Sequence, residues 1–253
     1  MGLLSKLGIG AGAGTSRSVS RSTPAGMLPT GRTGVPNGPI GAVGSTRAPE
    51  MQESTRVSNG LKEFLWNLDG LGRGTMLDLG PAWQTTLSFF IERGFRVTSD
   101  DLLRSWKEFL TEEESRLKSA LSGQESVDLT PAGRAARFIA ENLHYRESSF
   151  DAVLLWDTLD YLEPAVAKQT VACITEYLRP GGIVFAMFHS KKPEIFNRYR
   201  VADSSTLQVI SSTPVCPAQK VYQNREIQEL FGRYRTSKSF VGRDQLRETL
   251  FIK

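Results

Sequence analysis

The residues of this 253-residue chain that could do chemistry are few, and most stand at the ends of short apolar runs. Asp78 and Gly80 close the run that begins at Thr75, Asp100 and Asp101 follow Phe95–Ser99, and Asp157 and Asp160 follow Ala152–Trp156. His189 stands just past Ile183–Phe188. Carboxylates and an imidazole can bind or move protons, and a glycine after a strand lets backbone approach a ligand closely. Each group also has a plainer reading. Asp101 could cap the helix that starts at Leu102, Asp157 and Asp160 have the spacing of simple helix caps, and a lone histidine can be incidental. Trp83 and Trp156 suit packing better than ligand stacking. Cys173 and Cys216 are far apart and in no CxxC pair, and neither His144 nor His189 has a second ligand at metal spacing, so no metal site or disulfide is expected. Cys173 lies in an apolar helical pattern and reads as a buried thiol.

For these groups to meet, a sheet must gather the ends of the runs. SNGLKEFLWNLDGLG spaces Leu61, Phe64, Leu65 and Leu68 as a helix behind a Ser-Asn cap. Thr75–Leu79 is a buried strand. TTLSFFIERG carries Leu87, Phe90 and Ile91 on one face with Gly94 as a stop, and Phe95–Ser99 is a second strand, completing a βαβ unit. A long amphipathic helix or helix pair follows from Leu102, and a third strand is placed near Arg137–Ala140. Ala152–Trp156 is a strand apolar on both faces. Ala165–Leu178 is a helix closed by Arg179-Pro180-Gly181-Gly182, and Ile183–Phe188 is the next strand. Asn224 caps a helix through Phe231, and SKSFVGRDQLRETLFIK forms a closing hairpin with Arg243-Asp244 near its turn. The alternation predicts one α/β domain, doubly wound around a mostly parallel sheet of seven strands.

Residues 1–60 hold six basic side chains against Glu50 and Glu53, so the whole formal net charge of +4 belongs to this segment and the rest of the chain is neutral. A strong nucleic-acid signal is therefore lacking. The same stretch holds 12 of the 23 glycines and 5 of the 12 prolines. It cannot bury enough apolar surface to offset its chain entropy, so residues 1–56 are expected to be a disordered basic tail and 57–253 the folded domain. MGLLSKLGIGAGAG is too short an apolar run for a signal peptide, Lys6 breaks the myristoylation pattern, and no stretch suits a membrane span. The expected location is cytoplasmic.

From Thr75 to Phe188 the chain resembles the class I S-adenosylmethionine-dependent methyltransferases. The resemblance rests on LDLG (77–80), ERGFRVTSDDL (92–102), SFDAVLLWDTLDYL (149–162) and YLRPGGIVFAMF (177–188), in that order. It implies a Rossmann-like fold, S-adenosyl-L-methionine as cofactor and a methyl acceptor, either a small molecule or a protein. By the same resemblance, Asp78, Gly80, Pro81 and Ala82 form the loop beside the methionine part of the cofactor. Asp101 takes the ribose position, with Asp100 the competitor one residue earlier; one carboxylate can accept bonds from both ribose hydroxyls. The adenine would lie near Glu141, Asn142 and Leu143, while Trp156 and Asp157 would line the pocket. The chain departs from the family where glycines would stand at the positions of Ala82 and Gln84.

That departure supports a second expectation, a catalytically silent methyltransferase-like module that binds partners, with its tail as an interaction arm. A nicotinamide-dependent enzyme fits less well because no GxGxxG follows the first strand. Methyl transfer needs little acid–base help, since the sulfonium is already activated and positioning supplies most of the acceleration. The sequence therefore assigns no catalytic base, and it leaves the acceptor and the oligomeric state open. The helical segment Leu103–Pro131 is expected to act as a lid or a dimer surface.

Overall fold

The computed structural model describes residues 53–121, 128 and 130–253. The expected tail lies almost wholly outside the described residues. Its last residues do not: Glu53–Val57 is a strand, β1, so the folded body starts ahead of the expected boundary at residue 57.

Ten residues of helix, α1 (Asn59–Leu68), follow, capped by the Ser58 hydroxyl, which accepts from the Leu61 amide at 2.9 Å. Then come β2 (Gly74–Asp78), α2 (Gln84–Ile91) and β3 (Phe95–Ser99). Gly94, at φ 87°, makes the turn between α2 and β3. Two helices, α3 (Leu102–Leu121) and α4 (Pro131–Asn142), lead to β4 (Phe150–Trp156). A short 3-10 turn (Thr158–Tyr161) and α5 (Pro164–Tyr177) bring the chain to β5 (Leu178–His189). The expected turn at Arg179–Gly182 appears as an excursion within β5. Leu178 pairs with Phe150, and pairing resumes two residues further along β4 at Ala152–Ile183.

The third strand expected at Arg137–Ala140 is not a strand. Thr130 caps α4 by accepting from the Gly133 amide at 3.0 Å, Pro131 fits the first turn, and Ala135 and Phe138 point into the core. The apolar residues repeat every three to four positions, a helical period that prevails over the short apolar stretch at Phe138–Ala140. Arg134 and Arg137 both reach the buried Glu113 carboxylate, tying α4 to α3.

The main sheet has six described strands in the order β3-β2-β4-β5-β9-β8, where β8 is Thr236–Val241 and β9 is Leu246–Ile252. Its first four strands run parallel, and the final hairpin, antiparallel to β5, has the expected turn. A second sheet of three antiparallel strands, β1-β7-β6, comprises β1, β6 (Asn197–Val201) and β7 (Thr206–Ser211). Sequence reasoning placed no element at β6 or β7. The helix α6 (Asn224–Leu230) is capped by Gln223 rather than by Asn224.

One face of the main sheet is covered by α3, α4, α5 and α6 through Trp106, Phe109, Phe138, Ile174 and Phe231. The other is covered by α1, α2 and the small sheet through Phe64, Phe90, Tyr199 and Leu207. The fold is thus Rossmann-like, with both faces of its parallel strands covered. No helix among the described residues is long and apolar enough to cross a membrane.

Phe90 is fully buried, with ring centroids 5.1 Å from Phe89, 6.2 Å from Phe95 and 6.4 Å from Phe64. Truncating it opens a cavity between α1, α2 and the sheet. Phe90→Ala should lower the unfolding free energy by about 3–5 kcal/mol in urea titration; a loss below about 1 kcal/mol would mean that the site collapses without cost.

Candidate functional site

In a parallel sheet ligands bind outside the carboxyl ends of the strands. Here those ends bring together Asp78 (β2), Asp100 and Asp101 (after β3), Trp156 and Asp157 (β4) and His189 (β5). Their convergence follows from strand pairing: Met76 lies opposite Val97 on one side and Ala152 on the other, and Val153 lies opposite Val184.

The Asp78 carboxylate is nearly inaccessible to solvent. Its Oδ1 accepts the Gly80 amide at 3.0 Å and the Trp156 indole N–H at 2.7 Å, while Oδ2 is buried with no partner among the described residues. Burial outweighs those two bonds and pushes the carboxyl up to about 6. Trp156 has φ 53°, a left-handed conformation uncommon for a bulky residue, and it turns the indole back over the loop after β2. There the ring stacks on Tyr199 of β6 at 6.3 Å and 11° and meets Phe185 edge-on at 5.9 Å. Only 3% of the residue is exposed. A Cβ built on Gly80 would lie 2.5 Å from the indole nitrogen, so the ring occupies the ground directly beside the glycine.

The expected loop residues behave differently from one another. Gly80 is buried, Pro81 is half-buried, and Ala82 and Gln84 are exposed. Gln84 donates to the Ser88 hydroxyl at 2.9 Å. The side chains of Ala82 and Gln84 therefore do not fill the loop; Trp156 does.

Asp101 does cap α3, accepting the Arg104 amide at 3.2 Å, and the same oxygen accepts from the Arg198 guanidinium at 3.2 Å. Arg198 is on β6, where alternation puts it opposite in direction to Tyr199. A groove lined by Asp101, Arg104, Lys107 and Arg198 lies beside this pair. Asp100 accepts from the Tyr145 hydroxyl at 3.2 Å and donates its amide to the Asp78 carbonyl at 2.8 Å.

The residues expected near the adenine lie at the end of α4, which stands where the third strand was placed. Leu143 is buried in the core and its carbonyl accepts the Tyr177 hydroxyl at 2.7 Å. Asn142 donates its side chain to the Phe138 carbonyl of its own helix, and Glu141 pairs with Arg116. Residues 122–127 and 129, which precede α4, lie outside the described residues.

Asp157 stands at the N-cap position of the Thr158–Tyr161 turn and Asp160 lies within it. Neither makes a side-chain capping bond, and both are buried. Asp160 Oδ2 accepts the His189 amide at 2.7 Å and lies 2.9 Å from His189 Nδ1, while His189 Nε2 is 3.8 Å from Asp157 Oδ2. Asp157 Oδ2, Asp160 Oδ1 and the Tyr161 hydroxyl have no hydrogen-bond partner among the described residues. Burial drives the Asp157 carboxyl up to about 7, against the pull of His189, with Asp160 pushing the same way. Burial pulls the His189 imidazole down, but the bond to Asp160 and the charges of Asp157 and Asp160 outweigh it, and the net direction is up. This cluster can hold and exchange a proton. His189 also borders a cavity of about 240 Å³ shared with Arg56, Lys191, Tyr199 and Asp244. The sequence signal was present in the three-residue spacing of Asp157 and Asp160, whereas nothing in it tied them to His189.

The arrangement also bears on the implied cofactor. A cofactor lying against the β2 loop needs the space beside Gly80 and a free carboxylate after β3. The indole holds the first, and Arg198 and the Arg104 amide engage the second. In this arrangement the residues do not fit the group.

No protein-family model matches the chain, and no curated protein matches it. Solved structures do resemble it. A 1,6-didemethyltoxoflavin-N1-methyltransferase from Burkholderia thailandensis, solved with S-adenosylhomocysteine, is 18% identical, covers 77% of this chain and 78% of its own, with a TM-score of 0.41. An S-adenosylmethionine-dependent methyltransferase from Mesorhizobium loti is 13% identical over 76% of this chain and 96% of its own, at a TM-score of 0.42. One from Aquifex aeolicus is 12% identical over 76% and 88%, at 0.40. Similarity of this degree is one of broad outline.

Asp157 and His189 set a pH dependence whose sign is fixed. An aspartate raised from 3.8 to about 7 binds a proton in the folded chain that the unfolded chain has released, so its contribution is present at low pH and lost as pH climbs towards 7. A histidine raised in the fold likewise loses its contribution as pH rises above its ordinary range. Wild-type Tm should therefore fall, relative to Asp157→Asn, between about pH 4 and pH 7, read by thermal melts across that window. Parallel curves would show that Asp157 is ionised in the fold.

Proposed function

We propose that the chain is an S-adenosyl-L-methionine-dependent methyltransferase whose acceptor is a small molecule or a protein. One observation carries the reading: the parallel order β3-β2-β4-β5 gathers Asp78, Gly80 and Pro81, Asp101, and Trp156 and Asp157 at a single carboxyl edge. These are among the positions that the motif resemblance assigns to the cofactor, which also include Ala82, Asn142 and Leu143. The solved structures of similar outline include methyltransferases. In this reading Asp101 is the ribose carboxylate, released from Arg198, and the loop from Asp78 to Ala82 flanks the methionine part. The acceptor would enter from the His189 side, where the neighbouring cavity lies.

A second reading, the catalytically silent binding module, draws on the filled ground beside Gly80 and the engaged Asp101. The two readings differ in one measurable respect. If the first holds, the protein binds S-adenosylhomocysteine in titration calorimetry, and Asp101→Ala weakens that binding by about tenfold or more, as expected when a charged hydrogen bond is lost. Absence of heat at millimolar ligand, with no methyl label passed from S-adenosylmethionine to cell extract, would leave the silent module.

A further inference from the structure

We propose that Trp156 is a resident plug of the cofactor position, so that a ligand reaches Gly80 and Asp78 only when the indole leaves. The proposal rests on the methyltransferase reading and goes beyond it, because it makes affinity depend on one side chain of the chain itself.

The observations concern the placement of the ring, its backbone and its support. The ring lies against Gly80 so closely that a single added carbon there would clash. Its N–H is bound to the Asp78 carboxylate, the group that orients the loop through the Gly80 amide. Its backbone is turned into the left-handed region, which a tryptophan adopts only when its surroundings hold it there. The surroundings are Tyr199, stacked on the outer side, and Phe185 beneath. Tyr199 is itself held in place by β6, which is fastened to α2 through the Val201 amide bonded to the Thr86 hydroxyl at 3.0 Å, and to α3 through Arg198 on Asp101. One strand of the small sheet thus supports the plug and occupies the second carboxylate.

A site that is open in only a fraction of molecules has its apparent dissociation constant raised by the inverse of that fraction. Removing the plug should recover this factor. Two substitutions suit the backbone at position 156: Trp156→Gly, which accepts a positive φ without cost, and Trp156→Asn, which tolerates it and is small.

The test is titration calorimetry with S-adenosylhomocysteine on the wild type and both variants, each confirmed as folded by far-ultraviolet circular dichroism. At least one folded variant should bind at least about tenfold more tightly than the wild type. Should both lose their fold, Tyr199→Ala, which withdraws the support and leaves Trp156 in the chain, is held to the same criterion. Folded variants that gain less than this overturn the plug. If the wild type already binds as tightly as they do, the plug fails and the methyltransferase reading stands. If no folded protein binds, both fail.

Discussion

The bond from the Trp156 indole to the Asp78 carboxylate decides how the carboxyl edge of this sheet is organised. It joins the ends of β2 and β4, which are neighbours in the sheet, through a buried charge-assisted contact of 2.7 Å. A carboxylate so deep would be costly to leave alone. With two donors on one oxygen among the described residues, it remains shifted toward its neutral form. The indole supplies one of those donors, so displacing it strips Asp78 of half its partners. Any ligand that takes the position must replace that bond as well as the apolar contact.

The small sheet acts together with this bond. Tyr199 and Arg198 are adjacent in β6, and because side chains alternate along a strand they serve opposite faces. One stacks on Trp156; the other reaches Asp101. The strand therefore couples the two positions that a nucleotide-like ligand would need together. A ligand spanning both must displace an aromatic stack and an ion pair. Arg200, two residues on, lies 5.5 Å over the Trp83 ring and extends the same cover over the start of α2.

Much of the main sheet was legible in the sequence because its strands are buried on both faces. Ala152–Trp156 and Ile183–Phe188 are continuous apolar runs, and such runs have few alternatives. The βαβ unit from Thr75 to Ser99 was legible for the same reason, with Gly94 marking its turn. The stretch Arg137–Ala140 failed because an amphipathic helix can carry two adjacent apolar residues, and Phe138–Ile139 imitates a strand over so short a window. Strands β6 and β7 escaped because NRYRV and TLQVIS mix polar and apolar residues, with one face of each toward solvent. Their alternation, Arg198 and Arg200 against Tyr199 and Val201, was the available signal. At the site, the acidic strand ends could be read from the chain, but their partners could not. Arg198 lies 97 positions from Asp101 and Trp156 lies 78 from Asp78, separations at which spacing carries no information about contact.

The composition of the loop after β2 follows from the plug. A glycine is required where something approaches the backbone closely, and an added side chain is tolerated where the Cβ faces water. Among the positions in question only Gly80 meets that condition, because the indole nitrogen stands 2.5 Å from where its Cβ would be. Ala82 and Gln84 are exposed, so a methyl and a longer polar chain cost nothing there. The missing glycines therefore do not by themselves indicate a blocked loop. Their absence is compatible with a ligand that lies over Gly80 alone, and Trp156 is the group that stands in its way.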